Sequence, residues 1–183
     1  MWNPILLTSG SPAVRTGPLL PLLALAMVGL SGCLYTFQAG AGLPSHIQTM
    51  AVLSFENETS RFELTQEVHQ ILQAELPQQF GVRTASEEYA DAIVRGTIRS
   101  YAVDAPSYRA SPDGRGAQVL ERQVSITLHV EIVDTVNNMI LWDNSSLRVN
   151  GEYAEETEVE EDGRQLAMTR LVQNVVDGIQ SNW

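Results

Sequence analysis

The stretch "QVSITLHVEI", residues 123–132, decides the fold. Val124, Ile126, Leu128, Val130 and Ile132 alternate without a break with Gln123, Ser125, Thr127, His129 and Glu131. Successive side chains on a strand point to opposite faces, so this period of two specifies one dry face and one wet face. A strand buried on both sides would read as a continuous apolar run, so the alternation argues for antiparallel pairing. "DTVNN" (134–138) reads as a turn, and "MILWDNSSLRVN" (139–150) as the returning arm of a long hairpin.

The elements on either side follow from the same rules. Upstream, "DAPSYRASPDGRGA" (104–117) carries two prolines, two glycines and an Asp-Gly pair, and reads as an exposed loop. "ADAIVRGTIRSYAV" (90–103) reads as a strand in which Gly96 marks a bulge or a close approach. "GVRTAS" (81–86) is a short strand, and "IQTMAVLSF" (47–55) has the bounded apolar look of a buried one. Between them, "ENETS" (56–60) turns the chain. Leu64, Val68, Ile71, Leu72 and Phe80 then recur at helical spacing and predict a helix over 61–79. Ser60 with Glu63 fits a capping box, and Pro77 falls near the helix end. After the acidic stretch "EYAEETEVEED" (152–162), Met168, Leu171, Val172, Val175, Val176 and Ile179 form the stripe of a final helix. The order β-α-β-β-β-β-α predicts an α/β (α+β) domain. Two helices would pack on one face of a four- to five-stranded mixed, largely antiparallel sheet.

The first residues read as an address. Between Met1 and Leu30 the only charge is Arg15, and no acidic residue precedes Glu56. Arg15 leads into "TGPLLPLLALAMVGLSGC" (16–33), with the positive, apolar and small-residue regions of a secretory signal. Pro18, Pro21, Gly29 and Gly32 interrupt the run and argue against a membrane-spanning helix. Leu30, Ser31, Gly32 and Cys33 resemble a bacterial lipobox, in which the thiol takes a diacylglycerol and becomes the new N-terminus. Cys33 is the only cysteine among 183 residues, so no disulfide can form within the chain. Cleavage before Cys33 removes residues 1–32 and leaves 151 of the 183. Residues 33–46 would be a lipidated tether and 47–183 a single domain. A diacylglycerol plus an N-acyl chain on Cys33 would suffice for stable anchoring. Leu34, in place of an aspartate, favours the outer membrane, with the domain on its periplasmic face.

Composition and motifs remove several function classes. All eleven basic residues are arginine, and the formal net charge is −11. Nucleic acid is a poor partner for such a chain, because its binding needs cations to neutralise phosphates. His46, His69 and His129 are scattered and lack metal-ligand spacing. Neither a nucleophile elbow nor a phosphate-binding loop is present, and "EETEVEED" (155–162) lacks the alternating ligands and central glycine of a calcium loop. No catalytic residue, metal ligand or cofactor site is predicted.

The run "CLYTFQAGAGLPSHIQTMAVLSFENETSRFELTQEV" (33–68) resembles the start of mature members of the LptE lipopolysaccharide-assembly lipoprotein family. The family's pattern falls on Cys33, Tyr35, Phe37, Leu43, Pro44, Phe55, Asn57 and Thr59. Its Ala-Asp-Ala…Gly-x-Ile segment looks like Ala90, Asp91, Ala92, Gly96 and Ile98, and "LVQNVVDGIQSNW" (171–183) resembles its closing helix. The resemblance implies a two-helix, mixed-sheet plug inside the LptD β-barrel of the outer membrane, with lipopolysaccharide as a ligand. Family members that hold lipopolysaccharide are described as using basic residues. Here that duty would fall to arginine, whose guanidinium grips phosphate bidentately. Arg95 and Arg99 lie four apart on one strand, and Arg109, Arg115 and Arg122 surround the predicted loop. The alternative is an outer-membrane lipoprotein binding module of the CsgG, TolB N-terminal or peptidoglycan-synthase-activator type, since these also open on an apolar strand of this kind. If Cys33 is the lipidated residue, Cys33→Ser leaves an unprocessed precursor without acyl chains in the membrane fraction. Normal processing of that variant, read by intact mass, refutes the assignment.

Overall fold

Val124, Ile126, Leu128, Val130 and Ile132 are all fully buried, so the alternating row is the dry side of a sheet. The computed structural model describes residues 42–110 and 117–181, all within one compact unit, Gln38–Trp183. In chain order the elements are β1 (Thr49–Val52), β2 (Glu56–Asn57), α1 (Glu63–Phe80), β3 (Arg83–Thr84), a 3-10 turn (Glu87–Tyr89), β4 (Ala92–Ala110), β5 (Ala117–Asp134), β6 (Met139–Ala154) and α2 (Glu160–Gln180). The sheet order is β3-β1-β4-β5-β6, with β2 continuing beside β4 beyond the end of β1. β1, β2 and β3 pair in parallel, while β4, β5 and β6 form an antiparallel meander. This is the mixed sheet that the sequence predicts, with both helices on the dry face.

The packing follows from the two periodicities. α1 buries Leu64, Val68, Leu72, Leu76 and Phe80, and α2 buries Ala167, Met168, Leu171, Val172, Val175 and Ile179. Each large apolar side chain so covered contributes about 1.5–3 kcal/mol relative to leaving it in water. A bulge between Ile98 and Ser100 lets β4 keep its apolar residues inward along its length. Ala92, Val94 and Ile98 face the core before the bulge, and Tyr101 and Val103 after it. α2 rides directly on β6, because Gly151 carries no side chain. A Cβ there would lie 2.7 Å from the Ala167 nitrogen of the helix.

Three expectations are corrected. Most of the predicted loop over 104–117 is strand, because β4 runs to Ala110 and β5 begins at Ala117. Pro106 is tolerated because it falls where the ladder skips between Asp104 and Ser107, so its missing N–H breaks no rung. Within "ENETS", Glu56 and Asn57 extend the sheet as β2. The Ser60–Glu63 capping box does not form; the helix starts after Phe62 with no side-chain cap. Asn57 organises the turn instead. Its Oδ1 accepts the Thr59 N–H at 2.9 Å and the Thr59 hydroxyl at 2.8 Å, and its Nδ2 donates to the Arg61 carbonyl at 2.8 Å. This is the local side-chain-to-backbone pattern that makes asparagine a turn former.

Two carboxylates fasten the start of the domain. Asp91 accepts the N–H groups of Gln48 and Thr49, each at 2.9 Å, and the Thr49 hydroxyl at 2.8 Å, which ties β1 to the entry of β4. The same bonds, led by the Gln48 N–H, hold its pKa below the ordinary carboxylate value. Asp134, fully buried at the end of β5, accepts the N–H groups of Val136 and Asn137 at 2.9 and 3.0 Å and bonds the His46 ring at 2.7 Å. Burial pushes the Asp134 carboxyl up, but the hydrogen bonds from Asn137 and His46 outweigh it and hold the group at about 2.

Gly96, on the central strand β4, is a second point of close approach. An added Cβ would strike the His129 carbonyl oxygen and stand 2.5 Å from the Phe55 ring. Gly96→Ala should therefore destabilise the fold by about 1–3 kcal/mol, read as a lower urea midpoint; an unchanged midpoint would show that the β5 backbone at His129 and the Phe55 ring both give way freely. The second outcome concerns pH. Asp134 has a folded value near 2 against an ordinary 3.8, so its contribution is complete above pH 4 and is lost as pH falls through 2. Acid unfolding of Asp134→Asn should lack that part of the pH dependence present in the unaltered chain.

Candidate functional site

The helices leave the other face of the sheet open, and beyond an apolar rung of Ile93, Val133 and Ile140 polar side chains cover most of it. Arg95 on β4 stands opposite Glu131 on β5 and Asp143 on β6, and Thr97 stands opposite His129. Next come Ser100, Thr127 and Arg148, then Ala102, Ser125 and Asn150. Arg95 Nε donates to Glu131 Oε2 at 2.7 Å, and the His129 ring bonds Asp143 Oδ1 at 2.7 Å. The Glu131 hydrogen bond, and then its charge, raise the Arg95 pKa above the ordinary guanidinium value. Where the chain leaves β4 between β1 and β2, a shallow cavity of about 290 Å³ opens beside Ser54, Glu56, Arg95, Thr97, His129 and Glu131. Arg95 and Glu131 pair within its wall, and His129 is held from beside it by Asp143. Among the described residues no group of three or more His, Cys, Asp or Glu is arranged to hold a metal ion.

The five predicted arginines are not gathered into one patch. Arg95 and Arg99 both lie on the open face of β4, Arg95 in its ion pair and Arg99 exposed on the bulge. Arg122 pairs across the ladder with Tyr153, on the helix side of the sheet, and its guanidinium bonds Glu155. Arg109 sits in β4 opposite Gln118, and Arg115 lies outside the described residues, as do Leu30, Ser31, Gly32 and Cys33. Sequence reasoning missed Arg148. It sits on β6, exposed, opposite Thr127 and across that rung from Arg99. Neither Arg99 nor Arg148 makes an ion pair with a described residue. At about 4.8 Å per strand, the two flank Thr127 at a spacing of roughly 10 Å. The alternation of β5 already places Thr127 outward; the register of "LRVN" against it was the absent piece.

The acidic stretch before α2 is engaged inside the domain. Asp162 accepts the Val159 N–H at 2.9 Å, Glu158 accepts the Ala154 N–H at 2.5 Å, and Glu155 bonds Arg122. Glu160 accepts from Arg61 at 2.9 Å and from the Tyr101 hydroxyl at 2.6 Å, while Arg61 lies over the Tyr101 ring at 5.1 Å. Burial, with the bond to Glu160, pushes the Tyr101 hydroxyl up to about 12. Arg164, largely buried, donates to Glu67 of α1 at 2.8 Å and bonds Glu161. Negative charge at the first turn of a helix also complements its dipole. The run is a joint between α1, α2 and β4.

A family model described as LptE, lipopolysaccharide-assembly, matches residues 47–180. The chain belongs to the LptE family. No curated protein matches it in a direct sequence comparison. Among solved structures it is similar to the hypothetical protein CT253 from Chlamydia trachomatis. That pair has 10% identity and a TM-score of 0.50, over 74% of this chain and 99% of that one. The PelC dodecamer protein from Paraburkholderia phytofirmans shares 20% identity over 77% of this chain and 94% of its own, at a TM-score of 0.43. Lipoprotein GNA1162 from Neisseria meningitidis shares 15% identity over 73% and 98%, at 0.42. The CT253 likeness concerns the fold alone. Within the LptE-matched region, the residues that carry the family resemblance are structural. Phe55 lies on Gly96, Asn57 and Thr59 build the turn, Asp91 clamps β1, and Ile98 is core.

Proposed function

We propose that the chain is a non-enzymatic outer-membrane lipoprotein, held by acyl chains on Cys33. In this reading it plugs and helps assemble an LptD-like β-barrel and supports lipopolysaccharide transport to the cell surface. The observation that carries the reading is the LptE-family match over 47–180 on a domain with one open, polar sheet face. The lumen of a large membrane barrel is polar, so a plug must present hydrogen-bonding side chains rather than an apolar stripe. Thr97, Thr127, the Arg95–Glu131 pair and the His129–Asp143 pair meet that need. The two ion pairs are already made within the domain, so those charges stay satisfied before the barrel closes around them. The same surface offers two uncommitted cations, Arg99 and Arg148, for a lipopolysaccharide phosphate.

Two experiments test this. Co-purification from detergent-solubilised outer membrane should recover a large β-barrel with the chain. Recovery of a penicillin-binding protein in its place favours the peptidoglycan-synthase-activator reading and contradicts the plug. For the ligand, each charge-assisted bond to a phosphate is worth about 1.5–3 kcal/mol, so replacing Arg99 and Arg148 together with alanine should weaken lipopolysaccharide binding at least about tenfold. Arg122→Ala, on the opposite side of the sheet, should leave binding unchanged. Equal losses in the two variants would remove the open face as the contact.

A further inference from the structure

The turn between β5 and β6 exposes large apolar side chains among its polar ones. Turn tips ordinarily expose asparagine, aspartate and glycine. Here Asp134 is fully buried, and Asn137 turns its side chain back onto it at 2.9 Å. The apolar members face out: Val136 is 60% exposed, Met139 52% and Ile140 60%. Single exposed apolar residues need no explanation. Three within five positions, on a turn held in place by Asp134, Thr135 and Asn137, are a different matter. Tyr89, also exposed, belongs to the neighbouring 3-10 turn, which the Thr135 hydroxyl fastens through the Ala90 carbonyl at 2.6 Å.

The N-terminal segment enters the domain at this same tip. The His46 ring is bonded to Asp134 and to Asn137 at 2.7 and 3.0 Å, and Gly42 lies against Gln180 at the end of α2. Cys33 precedes Gly42 by nine residues, which span at most about 30 Å when extended. An acylated Cys33 therefore keeps this end of the domain close to the bilayer. The surroundings carry no arginine over 85–94 or 132–147, and Glu87 and Glu88 flank Tyr89. Attraction to anionic headgroups is not available here, so contact would be apolar and insensitive to salt.

We propose that Val136, Met139 and Ile140, with Tyr89 beside them, form a foot that seats in the headgroup–acyl boundary of the leaflet holding the Cys33 acyl chains. The foot rests on the reading of Cys33 as the lipidated residue. Once Cys33 is acylated, an introduced cysteine is the only free thiol in the chain, so an environment-sensitive fluorophore can be placed at one site. The acylated full chain is labelled at Val136→Cys, at Ile140→Cys and, on the exposed side of α2, at Gln173→Cys. Each is mixed with vesicles of zwitterionic phosphatidylcholine, with and without nitroxide-bearing lipid. The expected result is flotation of all three, a blue shift and nitroxide quenching at 136 and 140, and neither at 173, unchanged by added salt. Flotation with a water-like signal at 136 and 140 overturns the foot and leaves the anchor standing. A blue shift without quenching marks a contact between copies of the chain and also overturns it. Failure to float defeats the anchor and the foot together.

Discussion

The dry row on β5 is the constraint on which the domain depends. Five fully buried side chains on a central strand, paired on both edges, leave one face that only a second layer can cover. The two amphipathic helices provide that layer, and α2 approaches so closely that Gly151 and Gly163 meet almost backbone to backbone. Once both helices are committed to one side, the opposite side is left to polar residues. The open face is thus a consequence of how the core is closed, and its chemistry is what the remaining alternate positions of β4, β5 and β6 supply.

The family-resembling residues are concentrated where the chain has to change direction. Phe55 over Gly96, the Asn57 turn and the Asp91 clamp together set how β1 and β2 lie along β4. None of them offers a free polar group to a ligand. This separates two questions that a sequence resemblance tends to merge. Membership of the LptE family rests on a framework, and the surface that would meet a barrel or a lipid phosphate is drawn from other positions, such as Thr127, Arg99 and Arg148.

Much of the framework was legible because it is periodic. The β5 alternation, the two helical stripes and the long hairpin all follow from which side of an element must be dry. What escaped was set by non-local register or by competing local bonds. β2 is only two residues long and exists because β4 continues past the end of β1. Proline and glycine signals marked a loop over 104–117, of which β4 takes the residues as far as Ala110 past an irregularity in the ladder. Asn57 outcompeted Ser60 for the turn before α1. Arg122 was grouped with the arginines around the predicted loop, yet it stands two residues before Val124, in phase with the dry row, and so falls on the helix side of the sheet. The acidic run before α2 shows no partner in one dimension, and in three it is tied to the turn before α1 through Arg61, to β5 through Arg122 and to α1 through Arg164.

The central claim is that the open face of the β4–β5–β6 meander is the working surface of the domain. A photo-activatable side chain in place of Thr127, which stands outward between Arg99 and Arg148, tests it in intact cells. The account predicts a cross-link to a large outer-membrane β-barrel or to lipopolysaccharide, and none from a probe at buried Leu171. A probe at Thr127 that captures neither, while one at Gln173 on the helical side captures the barrel, would contradict it.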